Sequence, residues 1–475
     1  MQTPPSPYVD TVRPNVIWVI ADQLRAQALS IAGDPNVHTP NIDRLARDGA
    51  WFPRAVSGFP LCCPARGSML TGLYPHACVP AHEAPMDPSH VTIADRFNVH
   101  GYHTAWFGKW HLDGFKESTG RAAWHQIPRA RRGRFATWLG YENNNSQFDC
   151  WLHGHQDGVE LPLWQLPGHE TGQLTDLLLA HIDRVKDRPF FACLSVQPPH
   201  DPCSPPTDLS NYRSPADVIL RANVPPIPAV IERVRRDLSG YYGLIADLDR
   251  QVGRLLAHLD ALGLANHTYV VFTADHGDLH GSHGHFQKMT PQEEAIRVPM
   301  MIWGGRRWLD RNGRMPDMLP NHVDLLPTTL GLAGLPVPAD LPGFDYSPIM
   351  RLHGKEHRDW EATTPDSAYL QSVVPTEHSS STDIPWRGVV TRDGWKYAAI
   401  PGQPWMMHDL NQDPYEFVNL ALQAHARGRR QALNERVAQW IATTGDRFVL
   451  PEFTANGRSA STIAARKDFL GADAG

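Results

Sequence analysis

Short apolar runs that stop abruptly at polar residues constrain this chain more than any other feature. Val16-Ile17-Trp18-Val19-Ile20-Ala21 is continuous and bulky, and it stops at Asp22-Gln23. Such a run fits a strand buried on both faces, as in a parallel sheet. The form recurs at residues 102–107 before Gly108-Lys109-Trp110-His111, at 190–196 before Pro198-Pro199-His200, at 269–273 before Asp275-His276-Gly277, and at 298–303. Helical stretches lie between. Thr39-Pro40 opens one that Gly49 stops; residues 173–185 put Leu174, Leu177, Leu178 and Ile182 on one face; residues 241–262 form a long amphipathic stretch. The alternation predicts an α/β fold with a large, mostly parallel central sheet flanked by helices. Ligand chemistry in such sheets gathers at the carboxyl ends of the strands. The polar residues that end the runs are therefore the candidates for function.

After about residue 344 the pattern changes. Val389-Val390-Thr391 and Trp395-Lys396-Tyr397 flank Arg392-Asp393-Gly394, a hairpin signal, and residues 424–443 read as a helix packed on it. We expect a catalytic α/β domain over 14–344, a smaller C-terminal α+β subdomain with an antiparallel sheet over 345–454, and a polar tail over 455–475. A chain of 475 residues buries a large core without disulfides. Its net charge of -6 argues against a broad nucleic-acid surface. The N-terminal segment has no basic region or long apolar run, and no run approaches the roughly 20 residues of a membrane helix. The expected location is cytoplasmic with no membrane partner; a periplasmic one stays open.

Six cysteines are too few for a disulfide scaffold, yet Cys62 and Cys63 are adjacent, a geometry in which bridges are strained. They sit in Cys62-Cys63-Pro64-Ala65-Arg66-Gly67-Ser68-Met69-Leu70-Thr71-Gly72. A chance Cys-x-Pro-x-Arg-x4-Thr-Gly is on the order of 10⁻⁴ per chain of this composition. The segment resembles the signature of the type I, formylglycine-dependent sulfatases of the alkaline phosphatase superfamily. The resemblance extends from Pro14 to about Phe448 and includes Asp413-Pro414-Tyr415-Glu416 in the C-terminal part. It implies an alkaline-phosphatase-like sulfatase fold and a sulfuric ester hydrolase.

The resemblance further implies that a separate maturation enzyme oxidises Cys62 to formylglycine, with Cys63 in the free position of the motif. An aldehyde hydrate carries two hydroxyls on one carbon: one attacks sulfur, and the other expels sulfate as the aldehyde re-forms. A divalent cation ionises the hydrate near neutral pH. The implied metal ligands are Asp22, Gln23, residue 62, Asp275 and His276. Oxygen ligands favour Ca2+, and the imidazole also admits Mn2+ or another divalent ion. The common family pattern has Asp-Asp at the first pair; Gln23 departs from it, as in choline-sulfatase-like and phosphonate-monoester-hydrolase-like branches. Gly108-Lys109-Trp110-His111 matches the family's Gly-Lys-x-His element, with Lys109 on oxyanion oxygens and His111 orienting the hydrate. Arg66 joins that cluster. His200 and Lys288 match groups near the leaving oxygen, a general-acid task.

His153, His155, Trp110 and Trp151 read either as pocket lining or as ordinary loop residues. His82 and Glu83 stand where many family members carry asparagine. The expected partner is a small-molecule or saccharide sulfate ester, and a homo-oligomer is compatible with the tail. The alternative reaction is phosphonate monoester or phosphodiester hydrolysis in the same superfamily. Those enzymes resemble Gly-Tyr-x-Thr where this chain has Lys109 and His111, which favours sulfate. A non-catalytic binder of sulfated ligands is the third reading, and no empty charged position supports it.

Overall fold

The computed structural model describes residues 13–304, 313–350, 354–375 and 383–453. The expected polar tail lies outside them. Ten strands form the larger sheet: β1 (Asn15–Asp22), β2 (Ala50–Trp51), β3 (His103–Lys109), β4 (Thr137–Tyr141), β5 (Trp151–Gln156), β6 (Val159–Gln165), β7 (Phe190–Pro199), β8 (Thr268–Ala274), β9 (Met300–Gly304) and β10 (Gly313–Arg314). Their order is β10-β2-β9-β8-β1-β7-β3-β4-β5-β6. The central run β8-β1-β7-β3-β4 is parallel throughout. Every residue of β1, β7 and β8 is buried, as continuous apolar runs covered on both faces require.

Register sets the strand ends side by side. Ala21 pairs with Ala274, Lys109 with Tyr141 and Gly108 with Ser195. Between Ala21 and Asp22 the pairing with β7 jumps from Val196 to Pro199, so Asp22 and His200 emerge close together. Gly108 is required where it stands. Its φ is 102°, and a Cβ there would lie 2.1 Å from the Ser195 carbonyl oxygen.

Three elements depart from the sequence reading. The helix expected over 241–262 spans Pro228–Ala261. Its first turns are mostly exposed, with Val234 and Leu238 the buried apolar side chains before Tyr241, so periodicity there is faint. The run at 298–303 becomes β9, which lies antiparallel to β8. Trp151-Leu152-His153-Gly154-His155 is not a loop but β5, paired antiparallel with β4 and β6.

The smaller sheet is antiparallel, in the order β11 (Ser367–Ser372), β12 (Trp386–Thr391), β13 (Trp395–Ile400) and β14 (Gln403–Asp409). The expected hairpin is β12–β13. Helix Arg427–Thr444 packs Leu433 and Val437 against Tyr369, Val389, Tyr397 and Met407 of this sheet. No helix among the described residues is long and apolar enough to cross a membrane.

Candidate active site at the strand ends

Cys62 is the first residue of helix Cys62–Thr71, and Arg66 lies one turn later on the same face. Gly72 closes that helix in the left-handed conformation (φ 69°), donating its N–H to the Ser68 carbonyl. The Cys-x-Pro-x-Arg-x4-Thr-Gly spacing thus encodes one short helix with both ends specified. Cys62 Sγ lies 3.0 Å from His276 Nε2, 3.7 Å from Asp22 Oδ1, 3.7 Å from Lys288 Nζ and 4.0 Å from Lys109 Nζ. Burial, and then Asp22, pushes its thiol up to about 11.

Arg66 ties the strand ends together. Its Nε donates to Asp275 Oδ2 at 3.0 Å and its Nη2 to Asp22 Oδ2 at 3.1 Å. Its Nη1 donates to the Ser195 hydroxyl at 2.7 Å and the Lys109 carbonyl at 3.1 Å. Lys109 Nζ reaches Asp22 Oδ2 at 2.6 Å. Burial alone would raise the Asp22 carboxyl, but Lys109, His200, Arg66 and His276 hold it well below the usual carboxylate range. Burial alone would also loosen the Lys109 proton, and Asp22 reverses that. All these charges are buried, so each needs a partner.

Asp22, Cys62, Asp275 and His276 place one ligand atom each within 4.8 Å of one another. His276 Nδ1 lies 2.9 Å from the Gly277 carbonyl oxygen. A carbonyl only accepts, so Nδ1 carries the proton and the Nε2 lone pair faces the two carboxylates and Sγ. That tautomer and donor set fit a divalent cation. Gln23 does not turn its side chain to this cluster. Its φ is 65°, its amide oxygen accepts from Lys288 Nζ at 2.6 Å, and its amide nitrogen donates to Asp278 at 2.7 Å and Asp201 at 3.2 Å. The amide oxygen expected on the metal is thus paired with Lys288, whose Nζ lies 3.7 Å from Cys62 Sγ.

His200 and Lys288 meet at 3.0 Å through His200 Nε2 and Lys288 Nζ. His200 Nδ1 donates to the Asp201 carbonyl at 2.7 Å, so Nε2 is the acceptor and the ammonium carries the proton. Burial, and then Lys288, pushes His200 down to about 4. Trp386 of β12 braces this loop, its indole N–H donating to the Met289 carbonyl at 2.9 Å. Glu416 pairs with Lys396 and accepts the Glu293 N–H. The smaller sheet therefore supports the segment that carries Lys288.

His111 lies at the end of β3 with φ 58°, and neither ring nitrogen has a hydrogen-bond partner among the described residues. The backbone after it is pinned by Glu142, whose carboxylate accepts the N–H groups of Leu112, Asp113 and Gly114. Burial, and then Asp113, raises Glu142 to about 7. Sequence reading missed Glu142, Ser195, Asp201 and Asp278. Glu142, Asp201 and Asp278 lie just past the carboxyl ends of β4, β7 and β8, which is the signal that could have found them; Ser195 lies inside β7, level with Gly108.

Other candidates fall in the core. His153 Nε2 accepts the Ile127 N–H, and His155 bonds Arg132 and the Phe135 carbonyl. Trp110 is buried edge-on to Trp106 and Trp138. A polar cavity of about 370 Å³, lined by Glu117, Arg121, Asn143, Asn144, Asn145 and Asp149, opens beside β4. Gln147 of the same loop donates to the His200 carbonyl at 3.0 Å.

The sulfatase family profile matches residues 14–335, and the profile for the C-terminal region of N-sulphoglucosamine sulphohydrolase matches residues 281–443. The chain belongs to the sulfatase family. An ulvan-active sulfatase of Formosa agariphila is 32% identical over 92% of this chain and 83% of that protein. A structure from Bacteroides thetaiotaomicron, solved in work on the metabolism of multiple glycosaminoglycans, superposes with TM-score 0.80 at 24% identity, covering 91% of this chain and 97% of that one. The phosphonate monoester hydrolase of Agrobacterium radiobacter superposes with TM-score 0.71 at 21% identity, covering 94% and 99%. The sulfatase fold expected from the sequence is the one found, a mixed, centrally parallel sheet with an antiparallel C-terminal sheet.

Replacing Arg66 with methionine leaves Asp22 and Asp275 buried with fewer cations. We expect a loss of about 3 kcal/mol of stability, read from urea unfolding of the metal-free protein.

Proposed function

We propose that this sulfatase cleaves a sulfate monoester to an alcohol and inorganic sulfate, with residue 62 as the nucleophile after a maturation enzyme converts Cys62 to formylglycine. The convergence of His276, Asp22, Lys288 and Lys109 within 4.0 Å of Cys62 Sγ carries this reading. Asp22, residue 62, Asp275 and His276 would hold one divalent cation, Ca2+ by preference for a set rich in oxygen. That ion lowers the pKa of the hydroxyl at residue 62 and offsets the charge of the sulfate oxygens.

The chain's own groups then divide the work. Lys109, Arg66 and Lys288 supply positive charge around residue 62, enough to attract an anionic ester to a site that already holds two carboxylates. Lys288 holds the proton nearest His200, and the pair delivers it to the leaving alcohol oxygen. Gln23 orients Lys288 for that delivery. Glu142 fixes the backbone at His111.

We read the alcohol as a saccharide. The cavity beside β4 presents amide and carboxylate groups suited to hydroxyls, its loop also carries Gln147, which bonds the His200 carbonyl, and the kinship with an ulvan-active sulfatase supports the same choice.

Paired assays with an aryl sulfate and a phenyl phosphonate monoester test the reaction class. Sulfate should show the higher kcat/KM, and Cys62→Ala should lower it by at least about 10³-fold. A higher efficiency on the phosphonate, or unchanged turnover in Cys62→Ala, contradicts the reading. Lys288→Ala should slow an alkyl or sugar sulfate about 10²-fold more than a nitrophenyl sulfate, whose leaving group needs no proton. Equal losses would leave Lys288 as a sulfate-binding group without an acid role.

A further inference from the structure

Cys63 is the neighbour of the nucleophile, yet its side chain faces a different set of groups. Successive helical residues project about 100° apart, and this rotation turns Cys63 away from the carboxylates. Cys63 Sγ, one nitrogen of His82 and one nitrogen of His111 lie within 4.8 Å of one another. The His82 and His111 rings meet edge to face at 5.9 Å. His111 is only 2% exposed, and both its nitrogens lack a hydrogen-bond partner among the described residues. A neutral imidazole has one donor and one acceptor, and burying both unsatisfied is costly enough to be rare. A cation between these groups would use the idle lone pair.

We propose that Cys63, His82 and His111 form a second metal site, separate from the Asp22–Cys62–Asp275–His276 cluster and suited to a thiophilic divalent ion of the Zn2+ class. The donor chemistry separates the two sites. Two carboxylates dominate the first cluster and favour hard ions, whereas one thiolate and two imidazoles favour zinc, cobalt or a softer ion. Tetrahedral zinc bonds of about 2.0–2.3 Å place neighbouring ligand atoms roughly 3.5 Å apart, so a side-chain shift of about an ångström closes the site. His82 keeps 22% of its side chain exposed, which leaves an open edge for entry and for a water ligand. Glu83 Oε1 lies 3.7 Å from His82 Nε2 and adds negative charge at that edge. Lys109 and Arg66 act on His111 and oppose a cation; burial holds the Cys63 thiol well above its usual range, so binding releases the thiol proton, and the thiolate so formed and Glu83 bring the balancing charge. Filling the site withdraws His111 from the catalytic centre, so the ion is an inhibitor if the functional reading above holds. The binding itself does not depend on that reading.

Co2+ is the probe, because a bound thiolate gives it an intense near-ultraviolet charge-transfer band. The titration uses full-length Cys62→Ala protein saturated with Ca2+, which removes the other nearby thiol and fills the carboxylate site. The expected result is a thiolate–cobalt band that saturates at one Co2+ per chain. The band should vanish when Cys63→Ala is added. It should require at least about tenfold more Co2+ when His82→Asn is added instead. His82 is part-exposed, so that variant keeps the test decisive if Cys63→Ala fails to fold. Absence of the band in Cys62→Ala overturns the proposal. So does a band that survives Cys63→Ala, or an affinity unchanged by His82→Asn.

Discussion

Arg66 carries a buried positive charge between two buried carboxylates, and the centre is arranged around it. Asp22 and Asp275 leave adjacent parallel strands, β1 and β8, and would repel each other in the interior. One guanidinium donates to both and also to the Ser195 hydroxyl on β7 and the Lys109 carbonyl on β3. Four strands are thereby locked to one side chain on one helix. A lysine could not span them, because a planar fork of five donors is needed rather than a point charge. Asp22 divides its oxygens accordingly. Oδ2 faces Arg66 and Lys109, which leaves Oδ1 toward Cys62 and His276.

The second support comes from far along the chain. Lys288 lies in a loop rather than on a strand, so its position needs bracing. Trp386 holds the adjacent Met289 carbonyl, and Pro60 accepts the Met289 N–H at 3.1 Å. Lys396 and Glu416 anchor Glu293 a few residues on. The smaller sheet therefore contributes to the chemistry without supplying a group that touches residue 62. That division explains why the Asp-Pro-x-Glu stretch belongs with a catalytic signature more than 340 residues earlier by number.

Much of this centre was legible because two local patterns carry it. Apolar runs buried on both faces must be central strands, and their first polar residues must emerge at one edge of the sheet; Asp22, Lys109, His200, Asp275 and His276 were found so. Cys62 and Arg66 came from the resemblance of their segment to the sulfatase signature, and the structure shows that segment as one short helix. What was not legible depends on contacts between distant segments. Nothing near Gln23 in sequence reveals that its amide serves Lys288, Asp201 and Asp278. His153 and His155 looked like loop residues because histidine and glycine give no strand signal, and only pairing with β4 and β6 makes them core. The first turns of helix Pro228–Ala261 bury only Val234 and Leu238, so their apolar stripe is thin. His111 was placed correctly at a strand end, but its neighbours Cys63 and His82 come from two other segments.

In the proposed reaction residue 62 works as an aldehyde and not as a thiol. The direct measurement is the mass of the tryptic peptide Ala55–Arg66, taken on protein co-expressed with a formylglycine-generating enzyme and followed alongside turnover of an aryl sulfate. The expected peptide carries an aldehyde at residue 62, with turnover per molecule proportional to the aldehyde fraction across preparations. Full turnover in a preparation whose Ala55–Arg66 peptide retains the Cys62 thiol would contradict it.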